Sequence, residues 1–187
     1  MNNPRAREES AVILDFLPHG YPFDKRPSHQ KSPVAQAVGN NFFTLLELVP
    51  KKGKFLQPHE EVYIGGDERE KIHHIIGKIP PTKLTQTAHM ELEIVISDLI
   101  DKNETRFIDF FNKAGPINTR IHQLELLPGV GKRHTREIID EREEKEFESF
   151  EDIRTRIKLL PNPKQIIIKR ILQELNNEDK HKLFAQT

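Results

Sequence analysis

Leu124-Glu125-Leu126-Leu127-Pro128-Gly129-Val130-Gly131-Lys132-Arg133 sets a proline and two glycines between an apolar run and the start of a basic one. A connection this short between two helical patterns is a tight turn. Glycine on both sides of Val130 admits positive φ and puts no Cβ in the way. Successive backbone N–H groups at the start of the next helix then face outward, which makes an anion site out of backbone. Lys132, Arg133 and Arg136 follow at once and add cations for neighbouring phosphates, while Leu127 and Val130 are expected to anchor the turn in the core. The arrangement suits a phosphodiester backbone and reads no base. Its plainer alternative is a helix–helix turn used for packing alone. A nucleotide-hydrolysing P-loop is rejected, because Leu126 and Arg133 stand where that motif needs glycine and Ser or Thr.

Outward from this turn the apolar period is helical from about Thr87 onward. Leu92, Val95, Ile96, Leu99 and Ile100 make one stripe. Phe107, Phe110, Phe111 and Ala114 make the next, stopped by Gly115-Pro116. Thr119 is positioned to cap a third helix carrying Ile121 and Leu124, and Ile138 and Ile139 place the inward face of a fourth after Gly131. Ser149-x-x-Asp152 is a capping-box pattern for a fifth. Asn162-Pro163 supplies N-cap and first residue of a sixth, with Ile168, Ile171, Leu172 and Leu175 on one face. Five glutamates within 141–148 predict the exposed end of a helix that would repel a nucleic-acid backbone. Residues 177–187 read as a polar, fraying tail.

Toward the N-terminus the pattern changes to short apolar runs bounded by turn residues, which predicts strands over Ala11–Leu17, Val34–Val38, Phe42–Val49 and Glu61–Gly65. Prolines 18, 22, 27 and 33 make the intervening stretch a basic surface loop. Ile72, Ile75, Ile76 and Ile79 fall at helical spacing after Asp67-x-x-Glu70, yet Gly77 and the β-branched residues weaken a helix, so helix or strand stays open there. A small barrel of four or five strands fits these runs. The expected class is therefore α+β, with a β domain over 1–86 and an all-helical domain over 87–176 built around the turn at 128–131.

The 187 residues are long enough to bury an ordinary core, and 29 Lys+Arg balance 29 Asp+Glu. Net charge is +2 over 1–86, −3 over 87–115 and +1 over 116–175, so phosphate binding has to come from local placement of donors. No cysteine is present, which removes disulfides, thiolate nucleophiles and every Cys-based metal site. The charged N-terminus and the absence of a long apolar run predict a soluble, cytoplasmic protein with no membrane partner. Lys25, Arg26, Lys31, Lys51, Lys52 and Lys54 could line a groove on the β domain, with Tyr63 or Phe55 as a stacking platform; solvated loop charges are the plainer reading. Adjacent His73 and His74 point to different faces and have no ligand partner at i+4, so no metal site is expected. No triad spacing, paired carboxylates or two-metal acidic cluster suggests catalysis, and a non-enzymatic role is expected.

Residues 124–133, with Ile138 and Ile139 downstream, resemble the helix-hairpin-helix motif of nucleic-acid-binding proteins. Phe147-Glu-Ser-Phe-Glu-Asp-Ile153 looks like the linker and helix that join paired motifs. Leu159-Leu160-Pro161-Asn162-Pro163 sits where a second hairpin would come, without either glycine and without assigned phosphate contacts. Over residues 11–175 the chain is similar to an archaeal family known as domain of unknown function 655. The likeness rests on Val12-Ile-Leu-Asp-Phe-Leu17, Phe43-Thr-Leu-Leu-Glu-Leu-Val-Pro-Lys51, Val62-Tyr-Ile-Gly65, Phe110-Phe-Asn-Lys-Ala114 and 119–132. The resemblance implies an OB-like β-barrel followed by a helix-hairpin-helix domain, and an RNA-binding role near the ribosome or its assembly. It also implies a monovalent cation on the turn's carbonyls as the one conceivable cofactor. The phosphate contacts are expected at Gly129, Val130, Gly131, Lys132, Arg133 and Arg136. The rivals are a protein-docking scaffold and a DNA-binding repair accessory.

Overall fold

The computed structural model describes residues 7–176 and 180–186, and the chain divides into two compact units. The first holds residues 7–95 with 175–176 and 184–186; the second holds residues 96–174 with 180–183. The class is α+β.

In the first unit β1 (Ser10–Leu17), β2 (Val34–Gly39), β3 (Leu45–Pro50), β4 (Glu61–Tyr63) and β5 (Ile72–Lys78) form one curled antiparallel sheet in the order β4-β1-β2-β3-β5. The register places small residues against large ones. Ala37 lies opposite Ile13 and Leu46, and Ala35 opposite Phe16 and Leu48. These side chains share a core with Leu56, Val62, Ile64 and Ile72, and β2 is buried along its whole length. A register shift between Ile13 and Asp15 adds one residue to β1, and both Ile13 and Leu14 are fully buried there.

Gln36 on β2 is also fully buried. Its amide nitrogen donates to Tyr21 Oη at 2.8 Å and to the Lys83 carbonyl at 2.9 Å, and its oxygen accepts from Thr85 N at 2.8 Å. Every one of those bonds offsets the cost of placing an amide out of water. Thr85 Oγ1 in turn accepts from Ala88 N at 3.0 Å, capping α1 (Gln86–Lys102), and donates to Asp15 Oδ2 at 2.6 Å.

One open reading is settled and two expectations change. Residues 72–78 form a strand: the β-branched isoleucines favour it, and β5 pairs with β3 at the sheet edge through two register shifts. The run from Phe42 enters the sheet only at Leu45, because Phe43 takes φ 53° in the preceding turn. Within the expected tail, Phe184 and Ala185 are buried and Gln186 N donates to the Phe42 carbonyl at 2.8 Å, while residues 177–179 and 187 lie outside the described residues. An apolar pair in a polar tail was the signal for that burial.

The second unit contains the end of α1, then α2 (Glu104–Lys113), α3 (Lys132–Glu144), α4 (Phe150–Arg156) and α5 (Pro163–Leu175), of which α5 ends in the first unit's residue set. Thr119 does not start a helix. Asn118 Oδ1 accepts from Arg120 N and Ile121 N in a local turn, Pro116 bridges His122, and only a short 3-10 segment, Gln123–Leu126, follows. Helix ends are tied by arginines. Arg142 donates to the Phe111 and Ala114 carbonyls at 2.9 Å each, closing the C-terminus of α2. Arg156 donates to the Glu141 carbonyl and, at 2.8 Å, to the Lys145 carbonyl, doing the same for α3 while stacking over Phe147. The acidic 141–148 run is thus only partly a free helix end: α3 stops at Glu144, and Phe147 is buried.

Candidate nucleic-acid interface

The turn at 127–131 is built from below by apolar anchors. Leu124, Leu127 and Val130 are buried, and Val130 N donates to the Leu127 carbonyl at 3.0 Å. Val130 is therefore an anchor of the turn rather than a contact surface. Gly129 takes φ 81°, where any side chain is strained, and a Cβ there would lie 3.3 Å from Pro161 Cγ. Gly131 is different: at φ −99° and ψ −174° it is ordinary extended backbone with open space where a Cβ would go. Conformation requires only one of the two glycines.

Gly131 is the N-cap of α3 and brings no side chain to cap it. The first helical bond runs from Thr135 N to the Gly131 carbonyl at 2.9 Å, so the N–H groups of Lys132, Arg133 and His134 precede the helical ladder. The two following helices of this unit are closed by their own side chains. Ser149 Oγ accepts from Asp152 N at 3.0 Å, and Asn162 Oδ1 accepts from Gln165 N at 3.2 Å. The N-terminus of α2 at Asn103 also lacks a side-chain cap, but that of α3 follows the glycine turn and carries Lys132 and Arg133, and partial positive charge gathers there.

Lys132, Arg133 and Arg136 are exposed around this end. Arg133 Nε meets Glu137 Oε1 at 3.1 Å, an exposed pair that yields readily to a phosphate. The second turn, 157–162, follows the same outline with different chemistry. Leu159 takes the positive φ, 68°, Leu160 is buried as Val130 is, and Asn162 fills the cap. The Gly129 to Pro161 approach brings the two turns side by side.

The first turn is braced on its N-terminal side by His122, whose Nδ1 accepts from Leu124 N at 3.1 Å while Glu125 Oε1 accepts from His122 N at 3.1 Å. Burial, and secondarily the Arg142 charge, hold the His122 pKa below its ordinary value. The imidazole must be neutral at Nδ1 to accept, and its lowered pKa favours that form in the folded state. The stability it contributes is present above the unfolded pKa, about 6.5, and is lost as pH falls through the lower folded value. NMR titration of the His122 ring should give a pKa below that of a free imidazole, and His122→Asn, which keeps an acceptor, should remove the acid-side loss of stability. A ring pKa at or above 6.5 would contradict this bracing.

The first-unit cations are less uniform than the sequence suggests. Arg26 is held by Asp24, with Nη2 to Oδ2 at 2.7 Å, whereas Lys25, Lys52 and Lys54 stand exposed and Lys51 half-buried. Tyr63 lies against Gly65, and its hydroxyl meets Asp67 at 3.3 Å, so its ring is in part committed within the chain. Phe55 is well exposed beside Lys54, edge-on to Phe16 at 5.8 Å. Sequence reasoning missed Phe23, which is 77% exposed. Among the described residues no group of His, Asp or Glu could hold a metal ion, and no helix is long and apolar enough to cross a membrane.

Compared with known proteins, residues 7–186 match the family model described as "Protein of unknown function (DUF655)". The chain is 43% identical over 183 residues to "Uncharacterized protein MJ0038" of Methanocaldococcus jannaschii, covering 98% of this chain and 81% of that one. Among solved structures it is similar to the crystal structure of Af1531 from Archaeoglobus fulgidus. The TM-score is 0.89 and the identity 46%, covering 96% of this chain and all of the other.

Proposed function

The chain belongs to the DUF655 family, and from that premise and the geometry of its first turn we propose that it is a non-enzymatic nucleic-acid-binding protein. In this reading the turn and α3 are a helix-hairpin-helix that grips backbone phosphates, the second turn is its degenerate partner, and the curled sheet is an OB-like barrel. The single observation that carries it is the uncapped N-terminus of α3 at Gly131, opened by Lys132 and Arg133, beside two helices that cap themselves. N–H groups that a protein leaves unsatisfied at an exposed turn suit a phosphate oxygen, and the exposed cations add charge-assisted contacts. RNA is placed ahead of DNA, with the ribosome or its assembly as the setting; that preference rests on the family resemblance and on no single residue. A monovalent cation on the turn's carbonyls is compatible with the reading and is not required by it.

The test is fluorescence anisotropy of the full chain against single-stranded and duplex RNA and DNA across a salt series. Three cations at the grip predict a log–log slope of roughly −2 on a single strand, at about −0.7 for each phosphate neutralised. Preference for duplex DNA would favour a repair accessory. Failure of the folded protein to bind any of the four would overturn the proposal in favour of protein docking.

A further inference from the structure

The loop between β1 and β2 carries an aromatic pair built in an unusual place. Phe23 stacks on Tyr21 with ring centroids 4.8 Å apart and planes 17° from parallel, yet Phe23 itself is 77% exposed. The pair does not hang free. The Tyr21 hydroxyl donates to the Glu47 carboxylate on β3 and accepts from Gln36 Nε2 at 2.8 Å, and Gln36 is fully buried and held by Lys83 and Thr85. Burial first, then the bond to Glu47, push the Tyr21 phenol up to about 12, so it stays a neutral donor at physiological pH. An aromatic face is thus held out to solvent on a fixed base.

The loop that carries the ring also carries cations. Lys25 and Arg26 follow Phe23 in the chain, and Lys31 is close enough for its charge to help hold the Asp24 carboxyl below the usual range, after the larger effect of Arg26. Asp24 is matched by Arg26 at 2.7 Å and Glu47 is bonded to Tyr21, so Lys25 and Lys31 are the loop's cations beyond the Arg26 pair. An anchored aromatic face with adjacent cations meets the two requirements of a single nucleic-acid strand, a surface for the base and a counter-charge for its phosphate.

We propose that Phe23, supported by Tyr21, is a stacking platform for an unpaired base of a nucleic-acid strand, with Lys25 and Lys31 receiving the adjoining phosphates. The inference deepens the nucleic-acid reading and rests on it, but it uses other residues, in the other unit.

Phe23→Trp tests it directly, because the chain has no tryptophan and the new side chain becomes a unique emitter at the site. A short single-stranded RNA should quench it, and an abasic strand of the same length should not. Phe23→Ala, at an exposed position, should weaken binding of the base-bearing strand about tenfold and leave abasic-strand affinity unchanged. Equal quenching by both strands, or unchanged affinity of Phe23→Ala, overturns the platform. Emission indifferent to every strand overturns it in favour of a protein occupant. Adding Gly131→Asp separates the two claims: quenching that persists at higher RNA concentration supports a platform independent of the turn. If the parent fails to bind the abasic strand while the base-bearing RNA still quenches, the turn's phosphate grip fails and the platform stands.

Discussion

Gly131→Asp should raise the melting temperature while weakening nucleic-acid binding by about tenfold to a hundredfold. The site has room for the side chain, and φ −99° with ψ −174° is the conformation an N-cap residue adopts. Aspartate there accepts from the N–H groups at the start of α3 and faces the positive end of the helix dipole. Together these contribute roughly 0.5–1 kcal/mol, or a shift of about 1–4 °C for a chain of this size. The same carboxylate takes the donors a phosphate would use and repels it as well. Losing one charge-assisted hydrogen bond, at roughly 1.5–3 kcal/mol, corresponds to the stated loss of affinity. Gly131→Ala is the companion variant and should change binding far less. Opposite signs for stability and binding are hard to obtain from a turn that serves packing alone. A thermally stabilised Gly131→Asp protein that binds as tightly as the parent would exclude the turn from the interface.

Arg170→Met carries the largest expected cost in stability, about 3–5 kcal/mol. Arg170 on α5 is 2% exposed and its Nε donates to Glu174 Oε1 at 2.8 Å, with Glu174 fully buried. Removing the guanidinium takes the Nε donor from an interior carboxylate that still accepts from Leu183 N at 2.7 Å. Arg170 Nη1 also donates to the Leu126 carbonyl at 3.0 Å, directly before the first turn. The variant should therefore unfold earlier in a urea titration and, where still folded, bind nucleic acid more weakly. The double variant Arg170→Met/Glu174→Leu replaces both charges by apolar groups and should recover most of the stability, though not the bond to Leu126. Single and double variants of equal stability would show that the buried pair is not what holds α5 and the chain after it.

Much of this fold was legible because its signals are local. Ser149 and Asn162 read as caps and act as caps, since a side chain and a backbone N–H three residues apart need nothing else. The short apolar runs of β1 and β2, bounded by turn residues, gave those strands for the same reason. The isoleucines of β5 were ambiguous because their spacing is helical while their β-branched side chains and Gly77 disfavour a helix, and pairing with β3, remote in sequence, decided the outcome. Thr119 misled because Asn118, one residue earlier, offers the backbone a competing turn. At the candidate site the turn was visible in its glycines, but equal roles for Gly129 and Gly131 were not correct, since only the first needs positive φ. The bracing by His122, Arg142 and Arg170 was beyond reach, because long-range bonds from side chains to carbonyls leave no spacing in the sequence. The exposure of Phe23 was hidden likewise, as it depends on where Tyr21 finds Gln36 and Glu47.

The most direct test of the central claim follows the backbone amides of the full chain by NMR as a short single-stranded RNA is added. The account predicts that the largest shifts fall on the N–H groups of Gly131, Lys132, Arg133 and His134, that salt reverses them, and that Gly131→Asp abolishes them. Saturable binding that leaves those amides unmoved would contradict it.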